Sequence, residues 1–196
     1  MFALTLLLAA CGPSAPAPTP EAAAPPPAAA PAPAPSRADA ANTKLPPGLA
    51  GLRFEERSVT DARSSHTTQA VVPVGWVEEA GWAGWFKPPK EANLGWMTAF
   101  KVGTNCAGAC EPKDWKAVIE KELLAAIPDK VRKGEETLPE NGRVRWGADA
   151  STAWVQAAWY TEGASNYTLC TATLDSPALV PAVDAFVEAC KATRPG

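Results

Sequence analysis

Hydrophobic and polar positions divide this chain into three stretches with different patterns. Phe2 to Ala10 is an unbroken apolar block, and from Pro13 to Pro35 proline alternates with alanine, threonine and glutamate at neither a helical nor a strand period. Periodic patterning begins only near Leu52. Leu52 to Val59 and Thr67 to Val77 are rich in β-branched and aromatic residues, and the second meets a break at Pro73 and Gly75, which predicts two strands or one hairpin with irregular ends. Trp96 to Val102 reads as another strand. Pro112 suits a first helical turn, and Trp115, Val118, Ile119, Leu123, Ala126 and Ile127 recur at three- and four-residue steps, predicting an amphipathic helix stopped by Pro128.

Asn141-Gly142 then signals a turn, followed by strands over Arg143 to Trp146 and Ser151 to Tyr160. In the latter, Ala153, Val155, Ala157 and Trp159 alternate with Trp154, Gln156, Ala158 and Tyr160, so both faces are apolar enough for a central position. Gly163 to Asn166 turns the chain into a strand ending at Leu174, and a last helix starts at Ser176-Pro177 or Pro181 with Val183, Phe186, Val187 and Cys190 on one face. Several strands with two substantial helices, and no Gly-rich phosphate loop, predict an α+β fold: a mainly antiparallel sheet packed by two helices.

Composition changes the picture chiefly by setting the boundaries. Twelve of the 21 prolines fall between Pro13 and Pro47, so the expected folding unit is 45–196, with 11–44 as a tether. About thirty residues of extended polyproline conformation would span roughly 90 Å. The net charge of −3 and the lack of a basic stripe exclude nucleic acid as an expected partner; Lys130, Arg132 and Lys133 read as solvated surface.

The apolar block at the start is of signal-peptide length and too short to span a bilayer as a helix. It ends on Leu8-Ala9-Ala10-Cys11, which resembles the lipobox of bacterial lipoproteins. The resemblance implies that 1–10 is a signal peptide, that Cys11 is acylated and becomes the first mature residue, and that the lipid bilayer is a partner held through its acyl chains. Each buried methylene contributes about 0.8 kcal/mol, and several chains together anchor stably. Gly12 in second place, with no Asp there, resembles lipoproteins sorted to the outer membrane of Gram-negative bacteria. No Lys or Arg precedes the block, which departs from the family and points to a start further upstream.

Five cysteines are an odd set, but with Cys11 bound to lipid the remaining four suit disulfides in an oxidising compartment. Four cysteines allow three pairings. Cys106 and Cys110 bracket a short loop and favour each other, while Cys170 shares its strand parity with Ala172 and Leu174 and Cys190 lies on the apolar face of the last helix, so these two favour each other as well. A redox pair would place two residues between the thiols rather than three, and a zinc site would need closer pairs than Cys170 and Cys190 provide. No metal or cofactor is expected.

The order of elements, the Pro73-Val74-Gly75-Trp76 turn after an early strand, and a closing helix after a cysteine-bearing strand resemble the PsbP-like α/β/α sandwich, which lipoproteins of the LpqN type share. The resemblance covers most of Leu49 to Arg194, transfers no catalytic residue, and implies a binding or assembly module whose partner is an envelope protein or a cell-wall glycan. Trp82 and Trp85 sit among glycines without a clean period, so with Trp76 and Phe86 they form the candidate binding surface, against the plainer alternative that they cover one sheet face. His66 lies near Asp61, Ser64 and Ser65, yet no Gly-x-Ser-x-Gly elbow exists, and it reads as a surface histidine. The adjacent carboxylates Glu78/Glu79 and Glu135/Glu136 point in different directions within any regular element and argue no acid/base partnership. Asn166-Tyr167-Thr168 fits a glycosylation sequon that carries no weight in a bacterium. The expected function is a membrane-anchored envelope lipoprotein with a non-catalytic binding domain. The alternative is a small hydrolase or carbohydrate-binding protein working at Trp82 and Trp85.

Overall fold

The computed structural model of the protein describes residues 35–61, 66–106 and 110–195. The lipobox with Cys11, most of the proposed tether, and Ser64 and Ser65 lie outside the described residues. In chain order the elements are α1 (Arg37–Thr43), β1 (Phe54–Thr60), β2 (Thr67–Pro73), β3 (Val77–Glu78), β4 (Trp85–Lys87), β5 (Ala99–Asn105), α2 (Trp115–Val118), β6 (Arg132–Leu138), β7 (Gly142–Ala148), β8 (Ala153–Tyr160), β9 (Tyr167–Leu174), α3 (Val183–Lys191) and β10 (Arg194–Pro195).

Seven strands form one antiparallel sheet in the order β3-β4-β5-β9-β8-β7-β6, and β1-β2-β10 form a smaller antiparallel sheet. The alternation in β8 and β9 builds two cores. Ala153, Val155, Ala157 and Trp159 join Cys170, Ala172 and Leu174 on one face, covered by α1, α3 and the small sheet. Ala158, Tyr167 and Leu169 join Trp115, Ile119 and Leu124 on the other. The chain is therefore α+β with helical cover on both faces of a largely antiparallel sheet. Both favoured cysteine pairs are disulfides, with Cα–Cα distances of 4.8 Å for Cys106–Cys110 and 5.4 Å for Cys170–Cys190.

The predicted helix over 115–127 forms, but not as one α-helix. After α2 the chain passes through a π turn at Ile119–Leu123 and a 3-10 turn at Leu124–Ala126. A π turn inserts one extra residue, so the step after Ile119 is five: Leu124, not Leu123, takes the buried position. The frayed end is held by Arg145, whose Nη1 donates to the Leu124 carbonyl at 2.9 Å, and Trp115 is anchored by its Nε1 donating to the Ala164 carbonyl at 2.6 Å.

The fold also starts earlier than Leu45. Residues 37–43, assigned above to the tether, are helix α1, capped by Ser36 and packed on α3 through Ala38 and Ala41. Alanine contributes little to a hydrophobic period, so an Ala-rich run after a Pro-rich one looks like linker; it is nonetheless the best helix former, and its small side chain permits close approach. Polar contacts fix α1 to β1. The Glu56 carboxylate accepts from Ser36 Oγ and Arg37 N at 2.8 Å and from Arg37 Nε at 2.9 Å, and the Ser36 hydroxyl, followed by the Arg37 donors, holds its pKa below the ordinary value. Asn42 mimics a neighbouring strand, its amide donating to the Phe54 carbonyl at 3.1 Å and accepting from Phe54 N at 2.8 Å. A chain begun at Leu45 leaves those Phe54 groups and the α3 face uncovered. It should lose about 2–4 kcal/mol, read as a lower urea midpoint than that of a chain begun at residue 35.

Four short or polar strands, β3, β4, β6 and β10, escape the sequence pattern. β6 is the edge of the large sheet, where charged side chains block further pairing, so it carries no alternation to find. Glu135 and Glu136 on this strand do point apart. Burial works against ionisation of Glu135, but the Arg145 and Arg143 guanidiniums outweigh it and keep its pKa below the ordinary value, whereas Glu136 meets Lys191 of α3 at 2.7 Å. The β6–β7 turn centres on Glu140 and Asn141, both in the left-handed region at φ 58° and 56°, one residue earlier than the Asn141-Gly142 signal. Gly142 belongs to β7 instead, paired with Leu138, and is glycine because a Cβ there would lie 2.4 Å from Trp159 Nε1.

Candidate binding cleft

A concavity lies where β2 of the small sheet faces the ends of β5, β8 and β9. It encloses about 400 Å³, an ordinary size for a small-molecule site. β2 supplies Thr67 and Thr68, β5 supplies Thr104, β8 supplies Trp159 and Tyr160, and β9 supplies Tyr167 and Thr168. Short threonine side chains at the ends of β2, β5 and β9 leave the space that larger residues would close. Glu140, presented by the β6–β7 turn, also borders it.

His66 and Asn166 bridge the two sheets at this cleft, His66 Nε2 and Asn166 Nδ2 standing 3.3 Å apart. Trp159 is almost wholly buried at 2% exposure and offers a rigid apolar wall. Thr68 and Thr168 are 2% and 8% exposed, yet neither hydroxyl has a protein partner among the described residues and neither is sealed from solvent. Both therefore open into the cleft. The Tyr167 hydroxyl has its pKa raised by burial and by Glu122, and its ring packs at a tilt against Trp115, 5.1 Å between centroids.

The aromatic surface expected from sequence divides. Trp76 and Phe86 are core residues at 6% and 0% exposure, Phe86 on the inward side of β4 opposite Phe100 and Trp76 folded inward after the Pro73–Trp76 turn onto Phe186, 5.8 Å away. Neither presents a ring to a ligand. Trp85 is half-buried between the ammonium groups of Lys87 and Lys101, at 5.7 and 5.6 Å. Only Trp82 is open, 53% exposed, with its ring edge-on to Trp85 at 5.5 Å. It borders a shallow groove of about 560 Å³ with Asp61 and Glu79. Glu78 lines the groove too, but it accepts from Gly84 N at 2.5 Å and so holds the loop that carries Trp82.

Two features eluded the sequence pattern. Trp96 and Met97, which the pattern places at the start of a strand, precede β5 and are 82% and 45% exposed. The cleft itself had one overlooked signal: Asn166-Tyr167-Thr168, set aside as a sequon, contributes all three residues to it. His66 was read as surface, and it is exposed, but in the wall of this cleft. Asp61 borders both the Trp82 groove and a small pocket, and His66 borders that pocket and the cleft, so groove and cleft are neighbours on one surface.

No protein-family model matches this chain, and no curated protein matches it in sequence. Among the described residues no helix is long and apolar enough to cross a membrane.

Proposed function

We propose that this chain is a bacterial envelope lipoprotein, anchored through acylated Cys11, in the outer membrane, and that its folded domain is a non-catalytic binding module for an envelope protein or cell-wall glycan. The observation that carries the binding half is the cleft, where near-buried threonine hydroxyls without partners among the described residues open into a ligand-sized space. Two disulfides suit an oxidising compartment, and helical cover on both faces of the sheet is the layering that a PsbP-like sandwich requires. The lipobox Leu8-Ala9-Ala10-Cys11 supports the anchor.

The competing reading, a hydrolase or carbohydrate-binding protein working at Trp82 and Trp85, keeps one observation in its favour: the exposed Trp82 ring beside Asp61 and Glu79. Buried Trp76 and Phe86 add nothing to that surface.

Metabolic labelling with palmitate tests the anchor. The wild-type chain should take up label and sediment with membranes, whereas Cys11→Ala should remain unlabelled and move to the soluble fraction. An unlabelled wild-type chain overturns the proposal.

A further inference from the structure

We infer that the cleft between β2 and the ends of β5, β8 and β9 binds an uncharged polyhydroxylated ligand, a sugar unit of an envelope glycan. This rests on the binding-module reading above and specifies its ligand chemistry. Hydroxyl groups both donate and accept, so a wall of threonines is complementary to another hydroxyl-bearing molecule rather than to one with a single hydrogen-bonding sense. Thr68 and Thr168 supply two such groups from opposite sheets, and neither has a hydrogen-bond partner among the described residues. The Asn166 amide and His66 ring extend the polar wall. Trp159 borders the cleft but is almost wholly covered, so it backs the threonine wall rigidly and offers no stacking face.

Charge and polarity exclude the alternatives. Among the described lining residues there is no Lys or Arg to hold a phosphate or carboxylate. Among the described residues Glu140 is the only carboxylate lining the cleft, and no group of three His, Cys, Asp or Glu could hold a metal ion. An acyl chain or apolar side chain would bury the Thr68 and Thr168 hydroxyls without partners, which disfavours it. A neutral polyol avoids all three penalties.

The test uses the full chain with Cys11→Ser, so that acylation does not complicate the titration, and two neutral disaccharides as probes, N,N′-diacetylchitobiose and maltose. Amide and indole shifts in proton–nitrogen correlation spectra report where each binds. Saturable shifts at Thr68, Trp159, Asn166 and Thr168 with at least one probe are expected. Thr68→Val and Thr168→Val remove one hydroxyl each at nearly constant shape and should weaken binding about tenfold apiece. Thr171→Val, on the opposite face of β9, should leave affinity unchanged. Should a valine variant fail to keep the wild-type spectrum, Asn166→Ala provides the same comparison from the strand end. No saturable shift with either sugar, shifts centred on Trp82 or Trp96, or valine variants that bind like wild type each overturn the inference. Palmitate labelling separates the two proposals: a labelled chain that ignores both sugars sinks the sugar site alone, and an unlabelled chain that binds them sinks the anchor alone.

Discussion

Replacing Phe186 with alanine is expected to lower stability by about 3–5 kcal/mol, the largest effect of any single substitution proposed for this domain. Phe186 has no exposed surface and sits where α3 meets both sheets. Its ring lies 5.0 Å from Phe54 of β1 in an edge-on arrangement, 5.8 Å from Trp76 and 6.0 Å from Phe100 of β5. Truncation therefore removes the transfer free energy of a whole aromatic side chain and leaves a cavity that three rigid rings cannot collapse to fill. Against a total of roughly 5–15 kcal/mol for a domain, that loss should appear as a large fall in urea midpoint, with Phe186→Leu intermediate. Trp96→Ala provides the contrast. Although larger in volume, Trp96 is 82% exposed, so its removal should change stability by no more than about 0.5 kcal/mol. A Phe186→Ala chain as stable as wild type would mean that α3 does not join the two sheets.

The second large effect belongs to the Cys170–Cys190 disulfide. Its cysteines are separated by 20 residues and both are fully buried, joining the central strand β9 to α3. Closing a loop of that length removes denatured-state entropy worth about 3 kcal/mol, so the Cys170→Ala/Cys190→Ala chain should unfold at a correspondingly lower urea concentration. Cys106–Cys110 closes a span of only four residues and is worth about 2 kcal/mol in the same account. Denaturation of the two double variants under non-reducing conditions checks the order. Equal losses, or a greater loss for Cys106→Ala/Cys110→Ala, would show that loop length does not govern the contribution of these bonds.

Strand positions were legible wherever a strand lies near the centre of the sheet. β8 and β9 are apolar at alternating or consecutive positions because both faces are covered, and that burial is written directly into Ala153 through Tyr160 and Tyr167 through Leu174. The edge strands β3 and β6 and the two-residue β10 are held by backbone pairing to a neighbour, with few buried side chains of their own, so nothing in their composition announces them. The same distinction explains α1. Its capping box and alanines are compatible with a helix, but only the α3 surface and the Glu56 and Asn42 contacts give it a place in the fold.

The candidate site was less legible than the fold. A period of two tells which face a Trp occupies only when the strand is known, and β4 was too short to establish one; hence Phe86 and Trp76 were grouped with Trp82. The cleft draws on residues as far apart as His66, Thr104, Glu140 and Asn166, none of which forms a motif along the chain.

The amino-acid sequence by itself determined the α+β class, the central strands, the closing helix and the favoured cysteine pairs, because each follows from local periodicity or from short-range spacing. Only the tertiary structure decided which tryptophans reach solvent, where the fold begins and that threonines from two sheets share one cavity. Those are properties of how surfaces meet, and the free energy that fixes them comes from contacts between segments distant in the chain.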